Sequence, residues 1–276
     1  MEERFIRTKI GEVYTTFRQG NPTILFLSGM GFFSTADNFR LVIEKLPEEI
    51  GILTIDLPNT GKSKVRNQAN DSIKDVMTSL SQLIKDYSIE NYGICAHSIS
   101  GILALKLFEN DSSCRFFVGI EPTTREILYG NLSKNPYPEF QALEEQLSAS
   151  EKTFEDYLRE LSELYFSPQD AHQLWQTYHE AQDKLALADQ APIQAFISIE
   201  EKEISTQMPS DIAVILFCQE FRVAEYERSE YVHPDSDVTI VAGGDFHYLH
   251  WSESEKIANY IKNYMEKSHD STSKRK

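Results

Sequence analysis

The sequence predicts an α/β fold, a doubly wound and mostly parallel sheet into which a block of helices is inserted late. Three observations carry this. Short apolar runs alternate with stretches of helical periodicity through roughly the first 120 residues. The alternation lapses between about residues 122 and 207, where only helical patterns appear. Strand signals then resume at Ile212–Cys218 and Val238–Val241, before a final helix at Glu253–Lys267.

Residues 3–18 alternate apolar and polar side chains around Gly11, the pattern of a β-hairpin. Gly20-Asn21-Pro22 breaks the chain ahead of Ile24–Leu27, a continuous apolar run suited to a strand buried on both faces. Helical periodicity from Thr35 to Leu46 stops at Pro47, and Gly51–Leu57 is the next strand. Ile73, Val76, Met77, Leu80, Leu83 and Ile84 recur at helical spacing within 71–87. Tyr92–Ala96 reads as strand, Gly101–Glu109 as helix and Arg115–Ile120 as strand. Within the lapse, helices are predicted at Pro138–Ala149, Thr153–Phe166 and Ser167–Ala188, the last opened by a capping serine and a proline at its first position. The expected organisation is a core of residues 1–121 and 207–267, a helical cap over 122–206, and a polar, disordered tail at 268–276.

At 276 residues and 41% hydrophobic, the chain can bury a sizeable core. Its 27 basic and 43 acidic residues give a net charge of −16, which repels phosphate backbones and anionic lipid heads. Nucleic acid and membrane surfaces are therefore not expected as partners; a small-molecule substrate is. The opening Met1-Glu2-Glu3-Arg4 lacks the order of a signal peptide, and no apolar run reaches the roughly 20 residues of a membrane helix. Cys95, Cys114 and Cys218 have neither C-x-x-C nor Cys/His spacing, so they read as buried free thiols and not as a metal site. A reducing cytoplasm is the expected compartment, and no feature demands a metal or organic cofactor. Oligomeric state is left open.

The segment Tyr92–Ile102 carries the chemistry. An apolar strand runs into a turn of small residues with Ser98 at its apex, and a helix follows. A nucleophile on so tight a turn needs small neighbours two residues away on either side, and Ala96 and Ser100 supply them. The following helix aims its N-terminus at the turn, freeing the Ile99 amide to stabilise an oxyanion. On its own, a serine at this point also fits a helix cap.

Three further loops change that balance. Leu27-Ser28-Gly29-Met30-Gly31, the turn from Asp56 to Ser63, the elbow from Ala96 to Gly101, and the late loop from Gly244 to Trp251 occur in order, each in the right strand context. Together they resemble the α/β-hydrolase superfamily, over nearly all of residues 3–267. The resemblance implies that Ser98 attacks a carbonyl carbon and His247 shuttles its proton. It also implies that the backbone N–H groups of Met30 and Ile99 hold the oxyanion. His247 is preferred over His250 because the aromatic-Leu-x-Trp run after it matches the family pattern. His97, beside the nucleophile, is expected to be structural.

The chain departs from the pattern at the triad acid. Phe221 stands where the family usually places an aspartate after the strand Ile212–Cys218. Some members carry the acid after the preceding strand, where this chain has Glu121. Glu121 is therefore the expected acid, with Glu220 the alternative and Asp245 a distant third. Ser28, in place of the loop's usual histidine, and Trp251, just past His247, are expected at the substrate pocket. Asp56 is expected to bond loop amides.

Residues 139–203 hold fifteen acidic and four basic residues, a lid charge that disfavours nucleotides and coenzyme A thioesters. The reading that follows is hydrolysis of a small, uncharged carboxylic ester through an acyl-enzyme. The alternatives are thioester, lactone or carbon–carbon bond hydrolysis or acyl transfer on the same site, or a non-catalytic ligand-binding protein on the same scaffold.

Overall fold

The computed structural model describes residues 1–66, 72–129, 138–188 and 206–273. Its centre is one eight-stranded sheet. The strands are β1 (Glu2–Thr8), β2 (Gly11–Arg18), β3 (Thr23–Leu27), β4 (Gly51–Ile55), β5 (Tyr92–His97), β6 (Cys114–Ile120), β7 (Ala213–Cys218) and β8 (Val238–Ala242), in spatial order β1-β2-β4-β3-β5-β6-β7-β8. The β1–β2 hairpin is antiparallel and joins β4 antiparallel; every other pairing is parallel. This is the predicted doubly wound sheet.

The central strands read as unbroken apolar runs because both of their faces are covered. Side chains alternate in direction along a strand. Leu25, Leu27, Leu53 and Ile94 thus enter one buried cluster with Leu80 and Leu83 of α3 (Ile73–Asp86) and Leu103 and Leu107 of α4 (Ser100–Asn110). Ile24, Phe26, Ile52 and Val118 enter the opposite cluster, with Val42 of α2 (Arg40–Ile43) and Ile257 and Ile261 of the C-terminal helix.

The helix predicted over Thr35–Leu46 is split into α1 (Thr35–Asn38) and α2 at Phe39. Phe39 is wholly buried between the rings of Phe26 and His250, 5.2 and 4.5 Å away. Tertiary packing there overrides local periodicity.

Among the described residues, a short α5 (Arg125–Tyr129) follows β6, and α6 (Pro138–Ala149), α7 (Phe154–Tyr165) and α8 (Pro168–Leu187) then precede β7. Capping fixes their starts. Thr153 and Asp156 form a capping box on α7, and the Ser167 hydroxyl accepts from the Asp170 N–H on α8. A third apolar cluster binds these helices to the sheet layer, with Leu158, Phe166, Leu174 and Trp175 meeting Phe33, Phe246, Tyr248 and Trp251. A polar latch adds to it. The buried Asp37 carboxylate accepts from Arg40 (2.8 Å), Gln173 (3.0 Å) and Thr177 (3.2 Å), and Arg40 also pairs with Asp170.

After β7 come a 3-10 turn (Glu220–Arg222) and α9 (Val223–Glu227); after β8 come α10 (Leu249–Ser252) and α11 (Ser254–Ser273). The last of these runs as helix to Ser273. No proline or glycine interrupts the sequence after Ser254, and extending a formed helix costs far less than starting one. No described helix is long and apolar enough to cross a membrane.

Cys95, Cys114 and Cys218 are free and buried. Burial pushes the first two thiols far up and that of Cys218 up to about 12.

Candidate active site

The parallel strands of an open α/β sheet gather functional loops at their carboxyl ends, and this site forms there. Beyond β5, Ser98 adopts φ 54°, a left-handed conformation that costs a non-glycine residue about 1–3 kcal/mol. Hydrogen bonds hold it. Its N–H donates to the Ile120 carbonyl at 3.0 Å, and its own carbonyl accepts from Thr123 (2.9 Å) and Gly101 (3.0 Å).

The loop after β3 presses against this turn. A Cβ on Gly29 would lie 2.8 Å from Ser98 Cβ and 2.9 Å from His97 Nδ1, so only glycine fits. Gly101 is equally confined, with Pro122 and the Tyr231 hydroxyl each 2.5 Å from its notional Cβ. The Ser100 hydroxyl donates to the Ser28 carbonyl and ties elbow to loop. Met30 lies in that loop with an exposed side chain. Ile99 precedes α4, at the end of the helix whose N–H groups lack intrahelical acceptors.

Glu121 follows β6 in a second left-handed turn, φ 46°, and its N–H donates to the Phe217 carbonyl at 2.8 Å. Its carboxylate is fully buried. Oε1 accepts the Gln219 N–H at 2.7 Å, while Oε2 pairs with the Arg222 guanidinium and lies 3.5 Å from His247 Nδ1. Burial pushes this carboxyl up, but His247, Arg222 and the Gln219 N–H outweigh burial and hold it below the usual range.

His247 sits in the loop after β8, half-buried, with its ring 4.6 Å from that of His97 and its carbonyl 3.1 Å from His97 Nε2. Nδ1 faces a carboxylate and so carries the proton, which leaves Nε2 as the basic nitrogen. His97 and His250 are buried, and burial with neighbouring histidines pushes both well below 6.5, keeping them neutral. His97 therefore donates to the His247 carbonyl and anchors the loop. His250 Nε2 and Trp251 Nε1 both donate to Asn38 Oδ1, at 3.0 and 2.9 Å, and Asn38 Nδ2 donates to the Ser28 hydroxyl at 3.1 Å.

The structure thus brings Ser98, His247, Glu121 and the Met30 and Ile99 loops to one edge of the sheet. Glu220 and Asp245 are exposed, and the carboxylate bonded to His247 is that of Glu121. Trp251 is not among the described residues that line the cavity beside His247. It is 1% exposed and packs against Phe33, Phe166 and Tyr248 in the cluster under the inserted helices. Ser28 serves the frame through both its hydroxyl and its carbonyl. Asp56 bonds loop amides, those of Thr35 (2.6 Å) and Lys62 (2.8 Å).

Two residues of this site escaped the sequence reading. Arg222 bridges Glu121 to the buried Glu225. Their only trace in the sequence is an Arg and a Glu three residues apart just beyond an apolar strand.

A cavity of about 500 Å³ opens beside His247 between its loop and α6 and α7. Leu143, Phe154, Tyr157, Phe221 and Phe246 supply apolar surface to it. Its described charged residues are Glu139, Glu220 and Asp245.

No family model matches the chain, and no curated protein matches it in sequence. Solved structures do. Smu.1393c from the cariogenic pathogen Streptococcus mutans is 37% identical, with 96% of this chain and 97% of that one aligned at a TM-score of 0.89. A mutant epoxide hydrolase from Vigna radiata aligns over 96% of this chain and 98% of its own, at 14% identity and a TM-score of 0.72. The Vigna radiata epoxide hydrolase VrEH1 aligns over the same shares at 14% identity and a TM-score of 0.67. The chain has the α/β-hydrolase fold and belongs to the same family as Smu.1393c.

Proposed function

We propose that this chain is a serine hydrolase that cleaves a small, uncharged carboxylic ester through an acyl-enzyme on Ser98. The observation that carries the reading is the left-handed Ser98 turn whose neighbour His97 packs on a histidine with its Nδ1 facing a buried carboxylate. In the first half-reaction His247 Nε2 removes the Ser98 proton as Oγ attacks the carbonyl carbon. The N–H groups of Met30 and Ile99 stabilise the oxyanion. Collapse breaks the ester C–O bond, and His247 returns the proton to the departing alcohol. Water then attacks the acyl-enzyme by the same route and releases the acid.

Chemistry separates this reading from the epoxide hydrolysis named for the Vigna radiata proteins. A serine that opened an epoxide would form an ether, which water does not cleave under these conditions. An acyl group on Ser98 turns over. The acidic cavity lining supports an uncharged substrate over a polyanionic one.

Purified protein should hydrolyse p-nitrophenyl butyrate and take up a fluorophosphonate label at Ser98. Ser98→Ala should lower kcat/KM by about a thousandfold or more and abolish labelling. Absence of both turnover and label in the wild type would leave ligand binding without catalysis as the function of the scaffold.

A further inference from the structure

Behind the His247–Glu121 contact lies a buried group of charges that the proposed reaction does not use directly. Arg222 is 3% exposed, and the Glu121 and Glu225 side chains are completely buried. The guanidinium reaches both carboxylates. One terminal nitrogen pairs with Glu121 Oε2, while Nε and the other terminal nitrogen grip Glu225 at 2.9 and 2.7 Å. The Thr124 hydroxyl donates to Glu225 Oε1 at 2.5 Å, and the Tyr226 ring lies 4.8 Å from the guanidinium carbon.

We propose that Arg222 and Glu225 are positioning residues of the triad. Arg222 orients the Glu121 carboxylate toward His247, and Glu225 supplies the counter-charge that keeps that carboxylate effective. The proposal rests on the serine-hydrolase reading, which gives Glu121 and His247 their roles. One cation between two carboxylates leaves a net negative charge in the group. Arg222 pairs with the same oxygen of Glu121 that faces His247. Opposed by Glu121 alone, it would cancel the charge on which the imidazolium depends at each proton transfer. The two-pronged grip of Glu225 answers that cation and leaves Glu121 its charge. An arginine fits this place because its planar fork serves two carboxylates at once.

The other groups around His247 stay constant in the test. His97 and His250 are neutral, Tyr248 is the next residue, and Asp245 lies on the same loop. Glu220 faces the cavity from beyond β7, and Glu139 and Tyr157 face it from the inserted helices.

The test compares the full chain with Glu225→Gln and with the double variant Arg222→Met/Glu225→Gln. Each is read by the pH profile of kcat/KM on p-nitrophenyl butyrate and by NMR titration of the His247 ring. In the single variant the acid limb and the ring midpoint should move down by about one pH unit, and kcat should fall about tenfold with KM little changed. The double variant should return the midpoint to the wild-type position or above it, because cation and counter-charge leave together. It keeps the wild-type net charge of the group, one buried carboxylate facing His247, and because Glu121 loses its cation its fold is checked by circular dichroism beside the titration. Equal midpoints in wild type and Glu225→Gln would overturn the proposal. So would a double variant titrating below wild type, whether or not the single variant folds. If the wild type shows no Ser98-dependent turnover, the hydrolase reading fails, and the ring titration still decides the charge coupling on its own.

Discussion

The turns at Ser98 and Glu121 share a backbone and differ in everything around it. Each follows a parallel strand, each takes a left-handed conformation, and each donates its N–H to a carbonyl at the end of the neighbouring strand. They are also joined directly, through the Thr123 N–H and the Ser98 carbonyl. Around Ser98 the demand is for room: Gly29 and Gly101 are confined, and Ala96 and Ser100 are small. Around Glu121 the demand is for charge balance, met by Arg222, Glu225 and a backbone amide. One strained turn can thus hold a serine hydroxyl or a carboxylate, and the neighbours decide which.

Activity should separate the two carboxylates near His247 most sharply. Glu121→Gln keeps the shape but removes the charge that stabilises the His247 imidazolium and sets an NH2 donor where one carboxylate oxygen now accepts, so kcat on p-nitrophenyl butyrate should fall by about a thousandfold or more. Glu220→Gln should stay within about twofold of wild type. A Glu121→Gln enzyme with full kcat beside an inactive Glu220→Gln would reverse the assignment.

Stability should split the shared backbone. Ser98→Gly relieves the left-handed strain and should raise the urea unfolding free energy by about 1 kcal/mol. Glu121→Gly relieves the same strain but leaves Arg222 and the Gln219 N–H short of a buried partner, at a net loss of about 3 kcal/mol. Two changes of the same sign would mean that backbone strain, and not the charge group, governs both turns.

A second pair of buried carboxylates sharpens the point through pH. Burial pushes Asp56 from 3.8 up to about 6, although the N–H groups of Lys62 and Thr35 hold it down. Its folded state binds the proton more tightly than the unfolded chain. The stability it contributes is therefore complete below about 3.8 and is lost as pH rises to about 6. Glu121, held below its ordinary 4.5, runs the other way: its contribution is present above that value and lost as pH falls. Urea unfolding between pH 4 and 7 should show Asp56→Asn removing a decline of about 2–3 kcal/mol. Parallel curves for wild type and variant would refute this.

What the sequence disclosed was governed by how local each signal is. The sheet was legible because its strands are buried on both faces and its helices carry a single apolar stripe. Ser98 was legible because a tight turn constrains residues two positions away. Glu121 could be placed because it directly follows a recognisable strand. Arg222 and Glu225 were not, because their partner lies about a hundred residues earlier in the chain. The direction Trp251 faces was not legible for a related reason: its position in the chain fixes its distance from His247, but Asn38 and the inserted helices decide which way it turns. Phe39 breaks a helix by contacts that periodicity does not record.

The three sealed thiols make the native protein a timer of its own opening. A thiol reagent added to the folded chain has no accessible thiolate to attack, so each cysteine reports the rate at which its surroundings come apart. Cys95 lies three residues before Ser98 on a strand paired on both sides, and Cys114 lies at the start of β6. Modification of Cys95 therefore counts rupture of the innermost layer, whereas Cys114 counts fraying at the far end of the sheet. A fluorophosphonate that marks Ser98 while a thiol reagent present with it leaves Cys95 unmodified would show the Ser98 turn reacting on a framework that stays shut.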